Sequence, residues 1–419
     1  MDIDKQILDI AIAARKASNE LSSLSTSLKN QVLTGIADAL TDKREFLKEE
    51  NEKDIKSAEK KGLSAALIDR LRISDKVIDA MVQGIREVVQ LSDPVGETIK
   101  MWKRPNDLLV GKVRIPLGVI GIIYESRPNV TIDAASLCLK SGNAVILRGG
   151  KEAFNSNQAL TGIMQEVVKR NGIPEAAVQL IPVVEREAVY KMLTLEDYID
   201  VIIPRGGEEL IRAVVEHSKI PVIKHYRGVC HIFVDAVVDE EMAETIIVNA
   251  KVQRPGVCNA LETLLIHEEI ASRFLPRIVD RLKKEGVEVR GCEKGRKIIP
   301  DLKEAKEEDW HKEYLDLILS VKIVSTVEDA IDHIAKYGSM HTDAIVTSDY
   351  GNSQLFLQKV NSSVVLVNAS TRFNDGNQLG LGAEIGISTT KLHAFGPMGL
   401  NELTTSKFVV YGKGQIREG

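Results

Sequence analysis

A cysteine that follows a Pro-Gly turn is the residue of this chain best suited to covalent chemistry. Residues 253–259 have the sequence Gln-Arg-Pro-Gly-Val-Cys-Asn and follow an apolar helical pattern over residues 240–252. Proline and glycine end a helix and leave a sharp bend, and a strand-like run over residues 261–266 comes next. Such a bend presents the thiol of Cys258 to a cleft. Because a thiolate is a strong nucleophile and a good leaving group, the pattern indicates covalent acyl chemistry.

The other three cysteines have less reactive surroundings, and a free cysteine is more often buried than nucleophilic. Cys138 lies in an apolar helical run, which predicts a core position, and Cys292 lies in a charged connection, which predicts a surface position. Cys230 begins a strand, so its neighbour His231 points to the opposite face. No zinc-type C-x-x-C pair is present, and no metal site is predicted. By elimination, Cys258 is the thiol on a loop.

Two glycine turns at strand ends could bring backbone amides and cations to a phosphate. The turns are Arg148, Gly149, Gly150 and Lys151 after the strand 144–147, and Arg205, Gly206 and Gly207 after the strand 201–203. Neither matches the G-x-G-x-x-G pattern, and each alone is also typical of a tight turn. Because ligands bind at the carboxyl ends of strands in parallel sheets, we predict that both turns bind a nucleotide cofactor.

A further cation lies in the polar loop 370–375, after the strand 364–367. The guanidinium of Arg372 could pair with a carboxylate or a phosphate. A solvated arginine is equally typical of such a loop, so the residue type alone leaves both interpretations open.

Composition and charge exclude several classes of protein. Of the 419 residues, 44% are hydrophobic and 27% charged, which is typical of a soluble globular enzyme with two or three domains. The net charge of −5 gives no electrostatic reason to expect a nucleic acid partner. The apolar run 117–124 is too short to span a membrane, and the first residues lack a secretory signal. We therefore expect a cytoplasmic protein.

The elements that position these groups fall into regions of different periodicity. The first ninety residues show helical spacing, with Ser64 and Ser74 placed as N-caps. After residue 113, buried strands alternate with helices, which predicts a doubly wound parallel sheet. The predicted strands are 119–124, 144–147, 178–181, 201–203, 222–223 and 231–234, and the helices are 132–140, 157–170, 186–193 and 208–217.

A second alternating region begins near residue 240. Its predicted strands are 263–266, 287–289, 321–324, 344–346 and 364–367, and its helices are 270–285, 327–337 and 353–360. The fold class is therefore α/β with two doubly wound lobes, and we expect Cys258 at the interface between them, where ligand clefts form. Two polar, β-prone segments, 101–115 and 405–417, fit neither lobe and predict a small β arm that pairs with another subunit.

Five long motifs go beyond general patterns. They are Tyr-Glu-Ser-Arg-Pro-Asn-Val at 124–130, Lys-Ser-Gly-Asn-Ala-Val-Ile-Leu-Arg-Gly-Gly at 140–150, the segment 253–259, His-Ile-Ala-Lys-Tyr-Gly-Ser-Met-His-Thr-Asp at 333–343 and Gly-Leu-Gly-Ala-Glu-Ile-Gly-Ile-Ser-Thr at 380–389. With them the chain resembles, from about residue 7 to 413, the gamma-glutamyl phosphate reductases (glutamate-5-semialdehyde dehydrogenases) of the aldehyde dehydrogenase superfamily. The resemblance implies an NADPH-binding domain over 1–100 and 116–235, a catalytic domain over 236–400, and an oligomerisation arm over 101–115 and 401–419.

The resemblance also implies a reaction, the second step of proline biosynthesis from glutamate. L-Glutamyl 5-phosphate would be reduced by NADPH to L-glutamate 5-semialdehyde and phosphate, with Cys258 forming a thioester that receives the hydride. The oxyanion would be stabilised by the backbone N–H of Cys258 and the side chain of Asn129. Arg372 would bind substrate, and Arg148 and Lys151 the 2′-phosphate of NADPH. The family further implies a homodimer or homotetramer and functional coupling to glutamate 5-kinase.

One departure from related enzymes bears on the chemistry. Hydrolytic aldehyde dehydrogenases carry a Glu-Leu-Gly-Gly motif, whose glutamate activates water. The matching residues 225–228 are His-Tyr-Arg-Gly, without a carboxylate. An enzyme whose thioester exchanges with phosphate needs no water-activating base, which favours an acyl phosphate reductase.

Two alternatives stay open at this point. The first is a hydrolytic NAD(P)-dependent aldehyde dehydrogenase with the same fold. The second is a cysteine hydrolase or acyltransferase without a redox cofactor, for which His225, His231 or His341 would serve as the base. The second leaves both glycine turns unexplained, and a non-catalytic binding protein leaves the presented thiol unexplained.

Overall fold

The computed structural model describes residues 2–417. The helices are α1 Ile3–Leu21, α2 Thr26–Asp42, α3 Arg44–Lys60, α4 Ala65–Leu71, α5 Asp75–Gln90, α6 Asn129–Lys140, α7 Phe154–Arg170, α8 Arg186–Met192, α9 Glu208–His217, α10 Glu240–Val252, α11 Glu268–Lys284, α12 Glu293–Ile298, α13 Val327–Tyr337 and α14 Tyr350–Lys359. Within the described residues, no helix combines the length and the apolar character that crossing a membrane requires.

The strands are shorter and lie mostly between these helices. They are β1 Thr98–Lys103, β2 Leu109–Pro116, β3 Val119–Tyr124, β4 Ala144–Arg148, β5 Val178–Leu180, β6 Val201–Arg205, β7 Cys230–Val234, β8 Leu261–His267, β9 Glu288–Gly291, β10 Lys303–Glu304, β11 Ile318–Val324, β12 Thr342–Val346, β13 Val364–Val367, β14 Ile387–Ser388, β15 Gly396–Pro397 and β16 Thr404–Tyr411.

The chain divides into two compact units, and the first contains the N-terminal helices and a four-stranded parallel sheet. This unit runs to Lys224 and also includes Gly380–Gly386 and the segment from Met398 onward. Its sheet has the order β5-β4-β3-β6, with α1 and α6 packed against β3 and β4. All six residues of β3 are buried, as the apolar run predicts. The side chains of Ser64 and Ser74 cap α4 and α5, which confirms both predicted caps.

The two segments that fit neither lobe form one antiparallel sheet in the first unit. Its order is β1-β2-β16, and β16 pairs with the whole of β2. Large apolar side chains stay on its surface, since Phe408 is 66% exposed and Tyr411 61% exposed. Both segments thus pair in one small sheet, and the pairing of this β arm with another subunit stays a prediction.

The second unit contains His225–Leu379 and Ile387–Pro397 and is built on a seven-stranded parallel sheet. The strand order is β10-β9-β11-β8-β7-β12-β13. Helices α10 and α11 cover one face, and α13 and α14 cover the other. This two-sided burial explains the nearly continuous apolar runs of the strands.

One boundary differs from the expectation. The strand β7, assigned from the sequence to the first lobe, pairs with β8 and β12 in the second unit. The division therefore lies between Lys224 and His225, before residue 236 where the sequence placed it. The apolar pattern of β7 identifies a buried strand but not its partners, because pairing depends on contacts that are distant in sequence.

Candidate active site

The thiol of Cys258 lies on a loop in the second unit, between the end of α10 at Val252 and the start of β8 at Leu261. Cys258 is half-buried, whereas Cys138 and Cys230 are fully buried, and burial raises the pKa of each of these two thiols. The loop position of Cys258 and the core position of Cys138 are thus confirmed.

Cys292 does not have the surface position that its charged neighbours predict. It is half-buried, and its Sγ accepts N–H groups from Gly295 and Ile323, both at 3.4 Å. This thiol caps α12 and has a structural role.

The backbone of the Cys258 loop is held against Gly228. A Cβ atom added at Gly228 would lie 1.8 Å from the carbonyl oxygen of Cys258 and 2.7 Å from its Cα. Glycine is therefore required here for close approach between two backbone segments. The N–H of Gly228 also donates to Oε1 of Glu313 at 2.9 Å. This hydrogen bond fixes the position of the Gly228 backbone.

Two histidines lie next to the thiol. Ligand atoms of His225, Cys258 and His341 all lie within 4.8 Å of one another. Nδ1 of His225 donates to the carbonyl of Ile387 at 2.7 Å, and Nδ1 of His341 is 2.7 Å from Oγ1 of Thr342. Burial lowers the pKa of His341 well below its usual value, so this imidazole is neutral near pH 7. The sequence alone indicates a role for both histidines only as the base of a cofactor-free enzyme.

Two arginines give the surroundings of the thiol a positive charge. Burial and the charge of Arg254 lower the pKa of the half-buried Arg372, while the negative charges of Cys258 and Asp375 act in the opposite direction. Nε of Arg372 donates to Oε1 of Gln253 at 2.8 Å. The structure therefore places Arg372 within electrostatic range of Cys258. Arg254 was not identified as a site residue, although it lies in the same motif four residues before the cysteine.

Buried polar contacts support the loop from behind. Nδ2 of Asn259 donates to the carbonyl of Asn374 at 2.9 Å, and Nδ2 of Asn374 donates to Oγ1 of Thr342 at 2.7 Å. The ammonium of Lys251 donates to Glu262 at 2.7 Å, and both side chains are fully buried. Burial raises the pKa of Glu262 to about 7 against the effect of Lys251. These contacts connect the cysteine loop to α10, β8 and β12.

The first glycine turn lines a cavity of about 440 Å³ in the first unit. Its wall contains Arg148, Gly150, Lys151 and Arg186, together with residues of α8 and α9. The guanidinium of Arg148 is already engaged, since it donates to the carbonyls of Gly149 at 2.8 Å and Val184 at 2.9 Å. Lys151 and Arg186 are exposed. A concave wall with cations at a strand end suits the phosphates of a nucleotide, so the residues present fit a dinucleotide cofactor.

The second glycine turn has a different setting from the first. Its residues Arg205–Gly207 are not among the described residues that line the cavity, whereas Glu209 and Leu210 of the following helix are. A Cβ at Gly206 would lie 2.6 Å from the side chain of Glu125, and one at Gly386 would lie 2.2 Å from the Arg205 guanidinium. Arg205 therefore packs against the backbone of Gly386.

Asn129 is the first residue of α6 in the first unit. Its Nδ2 donates to Oδ2 of Asp133 at 3.0 Å. Burial raises the pKa of Asp133 to about 6, while this hydrogen bond and the charge of Arg205 act against the increase. One amide hydrogen of Asn129 is thus engaged within its own helix. An amide carries a second one.

Comparison with known proteins gives a consistent result. A model of the aldehyde dehydrogenase family matches residues 3–298. Gamma-glutamyl phosphate reductases of Geotalea daltonii and Geobacter metallireducens are 62% and 63% identical, with 100% of each chain covered. The crystal structure of gamma-glutamyl phosphate reductase from Thermotoga maritima is 48% identical with a TM-score of 0.97, over 98% of this chain and 100% of that one. An acetylating aldehyde dehydrogenase from Geobacillus thermoglucosidasius, 17% identical with a TM-score of 0.70 over 100% and 98% of the two chains, shares the fold.

Proposed function

Because the chain belongs to the aldehyde dehydrogenase family and its full-length relatives are gamma-glutamyl phosphate reductases, we propose that it reduces L-glutamyl 5-phosphate to L-glutamate 5-semialdehyde and phosphate. This is the second step of proline biosynthesis from glutamate. The observation that carries the proposal is the loop thiol of Cys258, with Arg372 within electrostatic range of it and Arg254 within electrostatic range of Arg372. A nucleophile with cationic side chains in its surroundings suits an acyl phosphate, which is electrophilic at carbon and anionic at phosphorus.

The residues of the second unit account for the acyl transfer. The Cys258 thiolate attacks the acyl carbon, the C–O bond to phosphate breaks, and a thioester forms. The two arginines stabilise the negative charge of the departing phosphate. A nicotinamide cofactor, when bound, supplies the hydride that reduces the thioester. At the place where hydrolytic relatives carry a water-activating glutamate, this chain has His225, which supports transfer to phosphate over hydrolysis.

The oxyanion formed in both steps needs positioned donors, each worth about 2.7 to 4 kcal/mol. The backbone N–H of Cys258 is the first proposed donor. The role of the Asn129 side chain as the second donor stays a prediction, which rests on the family resemblance. Loss of the amide in Asn129→Ala should lower kcat with little change in cofactor affinity.

For the cofactor we propose NADPH, and Lys151 and Arg186 as the side chains that select it. Both are exposed cations at the cavity of the first unit. Arg148, expected from the sequence to bind the 2′-phosphate, lines the same cavity and donates to two backbone carbonyls, and its role at the phosphate stays a prediction. Exchange of Lys151 and Arg186 for alanine should therefore raise the KM for NADPH much more than that for NADH. An equal rise for both cofactors would contradict this assignment.

The β arm supports a homodimer or a homotetramer as the assembly. It presents Phe408, Val410 and Tyr411 to solvent at 66, 56 and 61% exposure. Large apolar side chains on an antiparallel sheet are typical of a surface that another subunit covers. Functional coupling to glutamate 5-kinase stays a prediction from the resemblance.

One assay separates the proposed reaction from the hydrolytic alternative. In the reverse direction, NADP reduction is followed with glutamate 5-semialdehyde in the presence and absence of inorganic phosphate. We expect turnover only with phosphate, and none in Cys258→Ser, with Cys138→Ser as the control for cysteine replacement. Phosphate-independent oxidation at the same rate would favour a hydrolytic dehydrogenase.

A further inference from the structure

Three atoms that are good ligands for soft cations converge in the second unit. They are Sγ of Cys258 and an imidazole nitrogen each of His225 and His341, all within 4.8 Å of one another. We propose that these side chains form a binding site for Zn²⁺, and that the bound metal reversibly blocks the thiol. The consequence for turnover rests on the proposed function, whereas the metal site itself does not.

His341 provides the first independent support. Its ring is 0% exposed, and its Nε2 has no hydrogen-bond partner among the residues that the structure describes. A buried polar atom without a partner is unfavourable, and a metal ion would satisfy it. The other nitrogen, Nδ1, contacts Oγ1 of Thr342 at 2.7 Å, and Asn374 donates to the same oxygen at 2.7 Å. These contacts fix the ring orientation, as outer contacts do for zinc-bound histidines.

His225 presents its ring in a similar way. Its Nδ1 lies 2.7 Å from the carbonyl oxygen of Ile387. A carbonyl only accepts, so Nδ1 carries the hydrogen, and in the neutral ring Nε2 carries the lone pair. An Nδ1–H bonded to a backbone carbonyl is the arrangement that prepares Nε2 for a metal.

The distances between the three ligand atoms and the charges around them favour one class of cation. Zinc bonds of about 2.0 to 2.3 Å in a tetrahedron place the ligand atoms about 3.3 to 3.6 Å apart. Side-chain shifts of about an ångström would bring the three atoms to that spacing, and a water molecule would fill the fourth position. Arg372 lies within electrostatic range of Cys258, with Arg254 within range of Arg372, and this positive charge repels a dication that binds through charge alone. The hard cations Mg²⁺ and Ca²⁺, which prefer oxygen ligands, are therefore not expected to bind.

Binding would convert the nucleophile into a metal ligand. The thiol of Cys258 releases its proton, and its sulfur donates an electron pair to zinc, with no change of oxidation state. That electron pair is then unavailable for attack on the acyl phosphate. Removal of the metal by a chelator would restore the free thiol.

The test uses Co²⁺ as a spectroscopic substitute for Zn²⁺ in the full-length protein without added thiols. We expect one equivalent to bind with an apparent Kd of about 1 μM or tighter. A thiolate-to-cobalt charge-transfer band and the intense visible bands of a four-coordinate site should appear, and Zn²⁺ should displace them. Mg²⁺ should have no effect. Zn²⁺ should also stop turnover until EDTA is added.

Variants assign the ligands. Cys258→Ser should abolish the charge-transfer band, and His225→Gln and His341→Gln should each weaken binding by about tenfold or more. Because His341 is buried, thermal unfolding is measured to check that His341→Gln folds. If His341→Gln does not fold, the histidine contribution is tested with His225→Gln alone. Cys292→Ser and His311→Gln are the controls and should bind as the parent does, because neither Cys292 nor His311, whose ring packs against Tyr337, belongs to the three-residue cluster. An unchanged cobalt spectrum in Cys258→Ser, or no saturable binding in the parent, would overturn the proposal. Binding without loss of turnover would overturn the blocking role. A wrong substrate assignment would leave the cobalt spectrum intact.

Discussion

The contact between Gly228 and the peptide of Cys258 makes a strong prediction for Gly228→Ala. The new Cβ would lie 1.8 Å from the carbonyl oxygen of Cys258, and real Cβ atoms essentially never lie closer than 3.0 Å to such a neighbour. The two segments must therefore separate by at least 1.2 Å, from 1.8 to 3.0 Å. The obstacle is backbone, so no side-chain rotation relieves it. The φ angle of Gly228 is not in the left-handed region, so the expected effect comes from the contact alone.

A displacement of this size at the nucleophile should lower kcat/KM by about 100-fold, or about 2.7 kcal/mol. Overpacking should also destabilise the fold by about 1 to 3 kcal/mol. The assay combines initial rates with the rate of Cys258 alkylation by iodoacetamide and with thermal unfolding. Gly162→Ala is the matched control, because this helical glycine has nothing within 4 Å of an added Cβ. The control should keep full activity and gain about 0.5 to 1 kcal/mol of stability.

Two results would refute this reasoning. One is a Gly228→Ala protein with turnover and alkylation within about threefold of the parent, which would show that the loop absorbs the displacement without losing its geometry. The other is an equal loss of activity in Gly162→Ala, which would show a general effect of removing glycine.

Three other predictions follow from the same structure. Arg372→Ala should lower kcat/KM for the glutamyl substrate by about 1.5 to 3 kcal/mol in initial-rate kinetics; lost NADPH binding with normal substrate kinetics would show that Arg372 serves the cofactor. Burial raises the pKa of Asp133 to about 6 from a reference value of 3.8. The protonated carboxyl group of Asp133 therefore contributes fully to the free energy of unfolding below pH 3.8, and this contribution is lost as the pH rises through 6. Asp133→Asn should therefore be more stable than the parent by up to about 3 kcal/mol in urea unfolding near pH 8, and by much less near pH 4; an equal difference at both pH values would rule this out. Deletion of the residues after Leu403 removes β16 from the arm and should give monomers or aggregates by light scattering, whereas an intact oligomer would show that the arm is not the interface.

Features that depend on local chemistry can be predicted from the amino-acid sequence alone. The strands β3 and β13 and the helices α9 and α13 have the predicted limits, because apolar periodicity and capping are properties of neighbouring residues. The loop position of Cys258 follows in the same way from Pro255 and Gly256, which end the preceding helix.

Which distant segments of the chain meet depends on the tertiary structure. The pattern of β7 fits a strand of either sheet, and its pairing with β8 and β12 depends on partners far along the chain. His225 and His341 reach the thiol because the folded second unit brings three separate segments together. Arg148 has the residue type of a phosphate ligand, and only the structure shows that two of its N–H groups donate to backbone carbonyls. Residue types and spacing indicate which interactions a side chain is able to make. Its neighbours in space determine which of these interactions it makes, and they depend on the packing of the whole chain.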